Sequence, residues 1–149
     1  MRYIKEDFSQ VSHHFKDSSI FENLVLNGNT LNDIYEYLDS SSIYSVYSDN
    51  AFLGFFSVEG NEIHAYILEE FRNKSSIILK GMMDYAFNEL DLNFIVTYVR
   101  SDVYYIVRFL KILGFSLIFK EYNVVNKEDG DYDLYHLLLT KEEYNGKFI

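Results

Sequence analysis

The sequence EIHAYILEEFRNKSSIILKGMMDYAF, residues 62–87, changes its hydrophobic period once along its length. From Glu62 to Leu68 apolar and polar side chains alternate, which is the pattern of a strand with two distinct faces. From Ser75 to Leu90 the apolar residues recur at helical spacing and form one stripe, namely Ile78, Leu79, Met82, Met83, Ala86, Phe87 and Leu90. The stretch therefore predicts a strand, a polar loop and an amphipathic helix in that order.

Turn and cap signals divide the chain before this stretch. Asp49-Asn50 predicts a hairpin turn between two aromatic and β-branched runs, 43–47 and 52–58. Thr30, with Asp33 three residues later, predicts the capped start of a helix. The pattern from 8 to 26 is roughly helical, after a short strand at 1–4, and its expected core positions are Val11, Phe15, Phe21 and Leu24.

The rest of the chain predicts two crossovers and a closing strand pair. Residues 94–99 read as a strand and 103–113 as a helix that ends at Gly114. The segments 115–125 and 134–140 read as strands separated by a polar loop. The predicted order is β-α-α-β-β-β-α-β-α-β-β, a mixed sheet of the α/β class within one domain, 1–149.

Composition excludes several classes of function. The 149 residues carry 13 basic and 23 acidic side chains, a formal charge of −10, which disfavours nucleic acid and favours an amine or a basic protein patch as partner. No apolar run is long enough for a membrane span, and the N-terminus lacks a signal-peptide core, so a cytoplasmic location is expected. Without cysteine there is no thiol chemistry, and an amino-acid usage typical of AT-rich coding suggests a phage or a low-GC bacterium.

Two segments together resemble one known family. Residues 62–87 are similar to the fourth strand, pyrophosphate loop and third helix of the GNAT superfamily of N-acyltransferases, and RFLKILGF, residues 108–115, looks like the family signature at the end of the fourth helix. The tail from Tyr135 to Tyr144 is similar to the last strand and exit of such domains. The resemblance implies the GNAT fold, acetyl-CoA as cofactor and acetyl transfer to a primary amine.

The resemblance also implies where the cofactor binds. The pyrophosphate loop corresponds to Arg72, Asn73, Lys74, Ser75 and Ser76, which lack the family's glycines and fall about two residues short. Arginine, lysine and serine side chains can bind phosphate at a helix N-terminus. The same residues also fit a plain helix start, with Ser75 or Ser76 as N-cap.

The strand before that loop carries the remaining cofactor candidates. In the family, the backbone of this strand pairs with the pantetheine arm as an added strand would. The corresponding residues here are Tyr66, Ile67 and Leu68.

The family chemistry needs a base for the amine and an acid for the leaving thiolate. Glu62 and His64 lie on one face of the fourth strand, and either suits the base, although both also fit solvent-facing strand positions. Where many family members have a tyrosine that acts as the general acid, this chain has Leu110. Where they commonly have an asparagine near the start of the fourth helix, it has Val103. Tyr105, like its neighbour Tyr104, is a substitute acid or a packing residue.

Three functions remain open at this stage. The first is the acetyl-CoA-dependent N-acyltransferase, and the second is a catalytically inactive GNAT-like domain that binds protein, for example a phage accessory protein acting on a host component. The third is an acidic mimic of nucleic acid. No metal site is expected, because His13 and His14 are adjacent on a helix and have no third ligand.

Overall fold

The computed structural model describes residues 1–15, 21, 30–127 and 130–148. Its seven strands are β1 (Arg2–Glu6), β2 (Ser42–Ser48), β3 (Ala51–Glu59), β4 (Glu62–Ile67), β5 (Phe94–Arg100), β6 (Ser116–Lys127) and β7 (Gly130–Thr140). Its α-helices in these ranges are α1 (Phe8–Val11), α2 (Leu31–Ser40), α3 (Ser75–Asn88), α4 (Tyr104–Ile112) and α5 (Lys141–Phe148). Short 3-10 helices span Ser12–His14, Glu69–Lys74 and Ser101–Val103.

All seven strands form one mixed sheet in the order β1-β2-β3-β4-β5-β7-β6. Every neighbouring pair is antiparallel except β4 and β5, which are parallel. The parallel pair is connected through α3, as a crossover requires. The predicted mixed sheet is confirmed, and so is the predicted order of elements from β2 to β7.

Helices cover both faces of the sheet. α1 and α2 pack on one face against β2, β3 and β4, around Phe8, Val11, Leu38, Phe55 and Tyr66. On the other face, α3 packs against β2 and β3, while α3, α4 and α5 enclose a second apolar cluster with β5 and β7. Because the helices lie on both sides, the middle of the sheet is enclosed.

Local signals account for most element boundaries. The Thr30–Asp33 capping box is present, with the Thr30 N–H donating to Asp33 Oδ2 at 2.7 Å and the Asp33 N–H to Thr30 Oγ1 at 3.3 Å. Asp49 adopts a positive φ of 54° in the predicted hairpin turn. Gly114 follows α4 at φ 111°, as a C′ residue does.

Two features differ from the sequence expectations. The helix predicted over 8–26 is interrupted, because α1 ends at Val11, a 3-10 turn follows and Phe15 is extended. Phe15 packs edge-on against the Phe52 and Phe55 rings, so core packing outweighs the helical pattern. The expected core residue Leu24 lies outside the described residues.

The second difference is the C-terminal helix α5, which the sequence analysis did not predict. Its start is a capping interaction in which the Glu143 N–H donates to Thr140 Oγ1 at 3.1 Å and the Thr140 hydroxyl donates to Glu143 Oε1 at 3.0 Å. The Thr-x-x-Glu spacing is the signal that identifies this helix. Tyr144 then anchors α5 under α3 and is 1% exposed.

Candidate functional site

The centre of the sheet opens between β4 and β5. The two strands share a single register pair, Glu62 with Val96. Asn61 closes this junction, because its carbonyl accepts the Val96 N–H at 2.9 Å and its amide donates to the Phe94 carbonyl at 3.0 Å. Beyond that point, the edge of β4 that faces β5 has no strand partner among the described residues.

A cavity of about 660 Å³ occupies the gap between the diverging strands. Its walls come from β4 and β5, from the first turns of α3, and from α4. Most of the lining is apolar, and the polar side chains are His64, Tyr66, Arg72, Ser75, Thr97, Tyr98, Arg100 and Tyr105. A mostly apolar cavity with a few convergent polar groups is the usual form of a small-molecule site.

Glu62 and His64 form a polar cluster where the gap begins. His64 is 5% exposed, and its Nε2 lies 3.1 Å from Glu62 Oε2. The Tyr37 hydroxyl, which α2 brings to this face, donates to the same carboxylate oxygen at 3.1 Å. These contacts hold the pKa of Glu62 below its usual value, chiefly through the nearby His64 ring, against a smaller opposing effect of burial. Glu62 is therefore a carboxylate at neutral pH.

Aromatic rings surround this carboxylate. The Tyr98 ring packs edge-on against His64 at 4.6 Å and lies 5.9 Å from the His136 ring. His136 in turn pairs with Glu121. Burial, followed by the Glu62 charge, raises the pKa of both phenols, to about 12 for Tyr37 and higher for Tyr98. Both tyrosines therefore remain neutral donors over the physiological range.

The predicted pyrophosphate segment is helical throughout. Residues 69–74 form a 3-10 helix that continues directly into α3. The expectation that Ser75 or Ser76 caps this helix was wrong, because Lys74 occupies the N-cap position without a side-chain bond. Ser75 is instead inside the helix, and its hydroxyl donates to the Arg72 carbonyl at 2.6 Å. Arg72 and Ser75 line the cavity.

The other three residues of that segment lie near the cavity but not in its lining. Asn73, Lys74 and Ser76 are exposed at the start of α3. The backbone N–H groups of the first turn of a helix have no intrahelical acceptor. At the start of α3 the preceding 3-10 helix changes this, because the Ser75 N–H donates to the Arg72 carbonyl, and two basic side chains, Arg72 and Lys74, lie beside it.

The predicted pantetheine-binding residues differ in environment. Tyr66 and Ile67 line the cavity. The Tyr66 ring is buried and stacks on Phe55 at 4.6 Å. Leu68 packs in the core beneath α1 and α2, and its N–H donates to the Leu53 carbonyl at 3.0 Å. The backbone N–H of Leu68 is therefore already bonded within the protein.

The acid candidates lie on α4. Tyr105 lines the cavity and is 64% exposed, so its hydroxyl is accessible from the gap. Tyr104 does not line the cavity and packs edge-on against Tyr135 at 5.5 Å. Leu110 and Val103, at the two family positions, both line the cavity and supply only apolar surface.

Three polar residues of the site were not predicted from the sequence. Tyr37 comes from α2, Tyr98 from β5 and Arg100 from the end of β5. Each lies at least 25 residues from the Glu62–His64 pair or on another strand, and no spacing rule connects them. The sheet order, which places β5 beside β4, brings Tyr98 and Arg100 to the gap, and the packing of α2 on the sheet brings Tyr37.

The described residues contain neither a metal cluster nor a membrane-spanning helix. No group of three or more potential metal-ligating side chains occurs in these ranges, and the His13 and His14 rings lie 4.1 Å apart at an angle of 35°. The described helices are all too short or too polar to cross a bilayer.

This arrangement is the GNAT fold. The seven-stranded sheet is mixed, its only parallel pair among the described strands is β4 and β5, and α3 starts at the gap between them. Solved acetyltransferases match this arrangement over almost the whole chain. The sequence itself matches no protein-family model and no curated protein.

The solved structures that resemble this chain include spermidine N-acetyltransferases from Vibrio cholerae. One, in complex with CoA and spermine, superposes with a TM-score of 0.76 at 12% identity and covers 97% of each chain. Another, a mutant of the same enzyme, gives a TM-score of 0.75 at 12% identity over 99% of each chain. At this identity the likeness establishes the fold.

Proposed function

We propose that the protein is an N-acyltransferase that transfers an acetyl group from acetyl-CoA to a primary amine. The observation that carries the proposal is the opening between β4 and β5, where one cavity runs from Arg72 and Ser75 at the start of α3 to the buried His64, which contacts the half-exposed Glu62 carboxylate. The similar structures support it, since their names describe acetyl transfer to spermidine and one of them holds CoA with spermine.

The residues at the gap fit a CoA-type cofactor. The unpartnered edge of β4 suits an arm that carries amide groups, because added strands bind to such edges. Arg72 and Lys74 supply positive charge for phosphate at the start of α3, with Asn73 and Ser76 as further donors, and Ser75 can join them once its hydroxyl leaves the Arg72 carbonyl. When bound, acetyl-CoA supplies the activated acyl group as a thioester.

The amine must lose a proton before it can attack. Glu62 accepts that proton in our proposal, because its carboxylate is ionised and held in place by Tyr37 and His64. His64 is the second candidate, since its ring contacts both Glu62 and the cavity. Tyr105 donates a proton to the leaving group from the α4 side.

The acceptor fits an acidic, aromatic-lined site. The Glu62 carboxylate, with the Tyr98 ring near it, forms surroundings that attract an ammonium group. A basic patch on a protein offers the same group as a small amine does. A cytoplasmic location and a phage source both stay predictions.

Calorimetric titration with acetyl-CoA tests the cofactor site. We expect saturable binding that the pair Arg72→Ala and Lys74→Ala weakens about tenfold, as the loss of charge-assisted phosphate contacts requires. The matched control is Arg108→Ala with Lys111→Ala, two exposed residues of α4 that do not line the cavity. No binding at millimolar cofactor would refute the cofactor site.

Thioester consumption with a panel of amines tests the reaction. We expect turnover that Glu62→Gln lowers about 10²- to 10⁴-fold, the usual contribution of a positioned general base. Cofactor binding without turnover of any amine would instead favour the catalytically inactive, protein-binding alternative. A partner pull-down would then be the next step.

A further inference from the structure

Arg100 is a buried arginine with one unused hydrogen-bonding end. Its side chain is 6% exposed, and Nε and Nη2 donate to the two carboxylate oxygens of Asp102 at 2.6 and 2.7 Å. The guanidinium also lies 5.7 Å from the centre of the Tyr132 ring. Nη1 is buried and has no acceptor among the described residues, and Arg100 lines the cavity. A buried donor without a partner is uncommon in proteins and indicates a missing acceptor.

The position of Arg100 points to the acceptor side of the gap. Alternation along β5 places it on the same face as Tyr98, which contacts His64. This face is the one that α1 and α2 cover, whereas α3 begins on the opposite face. Arg100 lies two residues beyond Tyr98, about 7 Å further along the strand.

Asp102 determines which kind of group Nη1 can bind. Because the carboxylate neutralises the guanidinium, the pair offers a strong donor with little net charge. Such a donor suits the oxygen of an amide carbonyl. The amine end of the acceptor, by contrast, is placed beside the Glu62 carboxylate by the proposed reaction.

The geometry points to an acceptor that carries an amide carbonyl at a distance from its reactive amine, as the N-terminal segment of a peptide does. Arg100 is then a residue that determines acceptor specificity, and Asp102 positions it. This inference rests on the proposed acetyl transfer. It also distinguishes the chain from an enzyme built for protonated polyamines, because those molecules have no oxygen for Nη1 to bind.

The test compares two acceptors of similar length. Triglycine amide carries carbonyl oxygens, and 1,8-diaminooctane carries none. The variant combines Arg100→Met with Asp102→Asn, so that no unpaired carboxylate remains in the protein. Arg108→Met is the control, since Arg108 is exposed on α4 and does not line the cavity.

We expect the double variant to lower kcat/KM for triglycine amide about 10- to 100-fold, the size of one hydrogen bond to a charged group. The value for the diamine should change less than about twofold, and the KM for acetyl-CoA should stay the same. Equal losses for both acceptors, no loss for the peptide, or a raised KM for acetyl-CoA alone would each overturn the inference. The last outcome would assign Nη1 to an amide of the cofactor.

Calorimetry separates this inference from the proposed function. If no amine is acetylated, the proposed reaction fails, and the same two acceptors are titrated into the protein with CoA present. Weaker binding of triglycine amide alone in the double variant would still support the role of Arg100. Absence of peptide binding to the wild-type protein would refute it.

Discussion

Tyr37→Phe removes one hydroxyl and tests whether α2 holds the candidate base in place. The hydroxyl donates to Glu62 Oε2 at 3.1 Å. A hydrogen bond to a charged group contributes about 1.5–3 kcal/mol when it is fully buried. The Glu62 side chain is 34% exposed, so water replaces part of the lost bond, and we expect a loss of about 1 kcal/mol in the free energy of unfolding.

A double-mutant cycle isolates the bond. Tyr37→Phe, Glu62→Ala and the double variant are compared by urea unfolding at pH 7, and the coupling between the two sites should be about 1 kcal/mol. Tyr35→Phe is the control, because Tyr35 lies on the same helix and its hydroxyl makes no hydrogen bond among the described residues. A coupling below about 0.3 kcal/mol would refute the reasoning.

The coupling should also depend on pH in a defined direction. The pKa of Glu62 is lowered in the folded protein, so its contribution is present above the unfolded value of 4.5 and is lost as the pH falls through the folded value. The pKa of Tyr37 is raised from 10.0 to about 12, so its contribution is complete below 10 and is lost toward 12. In Tyr37→Phe the pKa of Glu62 should rise, so the acid limb of the plot of acetylation rate against pH should move to higher pH. An unchanged acid limb would contradict the role of Tyr37.

Two further substitutions test the gap from its other sides. Gly54→Ala should lower the free energy of unfolding by about 1–3 kcal/mol, since an added Cβ would meet the Tyr66 carbonyl oxygen of β4 at 2.2 Å. In the control Gly146→Ala, the Cβ meets nothing within 4 Å, and equal effects of the two changes in urea unfolding would argue against a close approach. Tyr105→Phe should lower kcat about 10²-fold or more with little change in acetyl-CoA affinity, if its hydroxyl protonates the leaving group. Stopped-flow thioester assays check this against Tyr104→Phe, whose ring does not line the cavity, and equal rates in the two variants would exclude Tyr105 as the acid.

Local patterns were reliable where neighbouring residues decide the structure. The period change between Glu62 and Leu90 predicted β4 and α3, because side-chain alternation and helical spacing follow from backbone geometry alone. Thr30 and Gly114 marked helix ends for the same reason. Where side chains from distant segments compete, as at Phe15, the pattern was wrong.

The residues of the candidate site also fall into those that a local pattern predicts and those that only distant contacts bring together. Glu62 and His64 could be selected from one strand, since residues two apart share a face. Tyr37, Tyr98 and Arg100 could not, because each reaches the gap through a different pairing or packing contact. The divergence of β4 from β5 is also absent from any single segment, since it depends on Asn61 joining the strands only where they begin.

The sequence by itself determined the order of helices and strands, the acidity and the segment where a cofactor would bind, because these depend on composition and on residues close together in the chain. Only the tertiary structure decided that β4 and β5 separate, that the predicted loop is a 3-10 turn, and that an arginine is left with an unpaired donor in the cavity. These features arise from strand pairing and from buried polar groups that need partners, and both are settled by contacts between residues far apart in sequence.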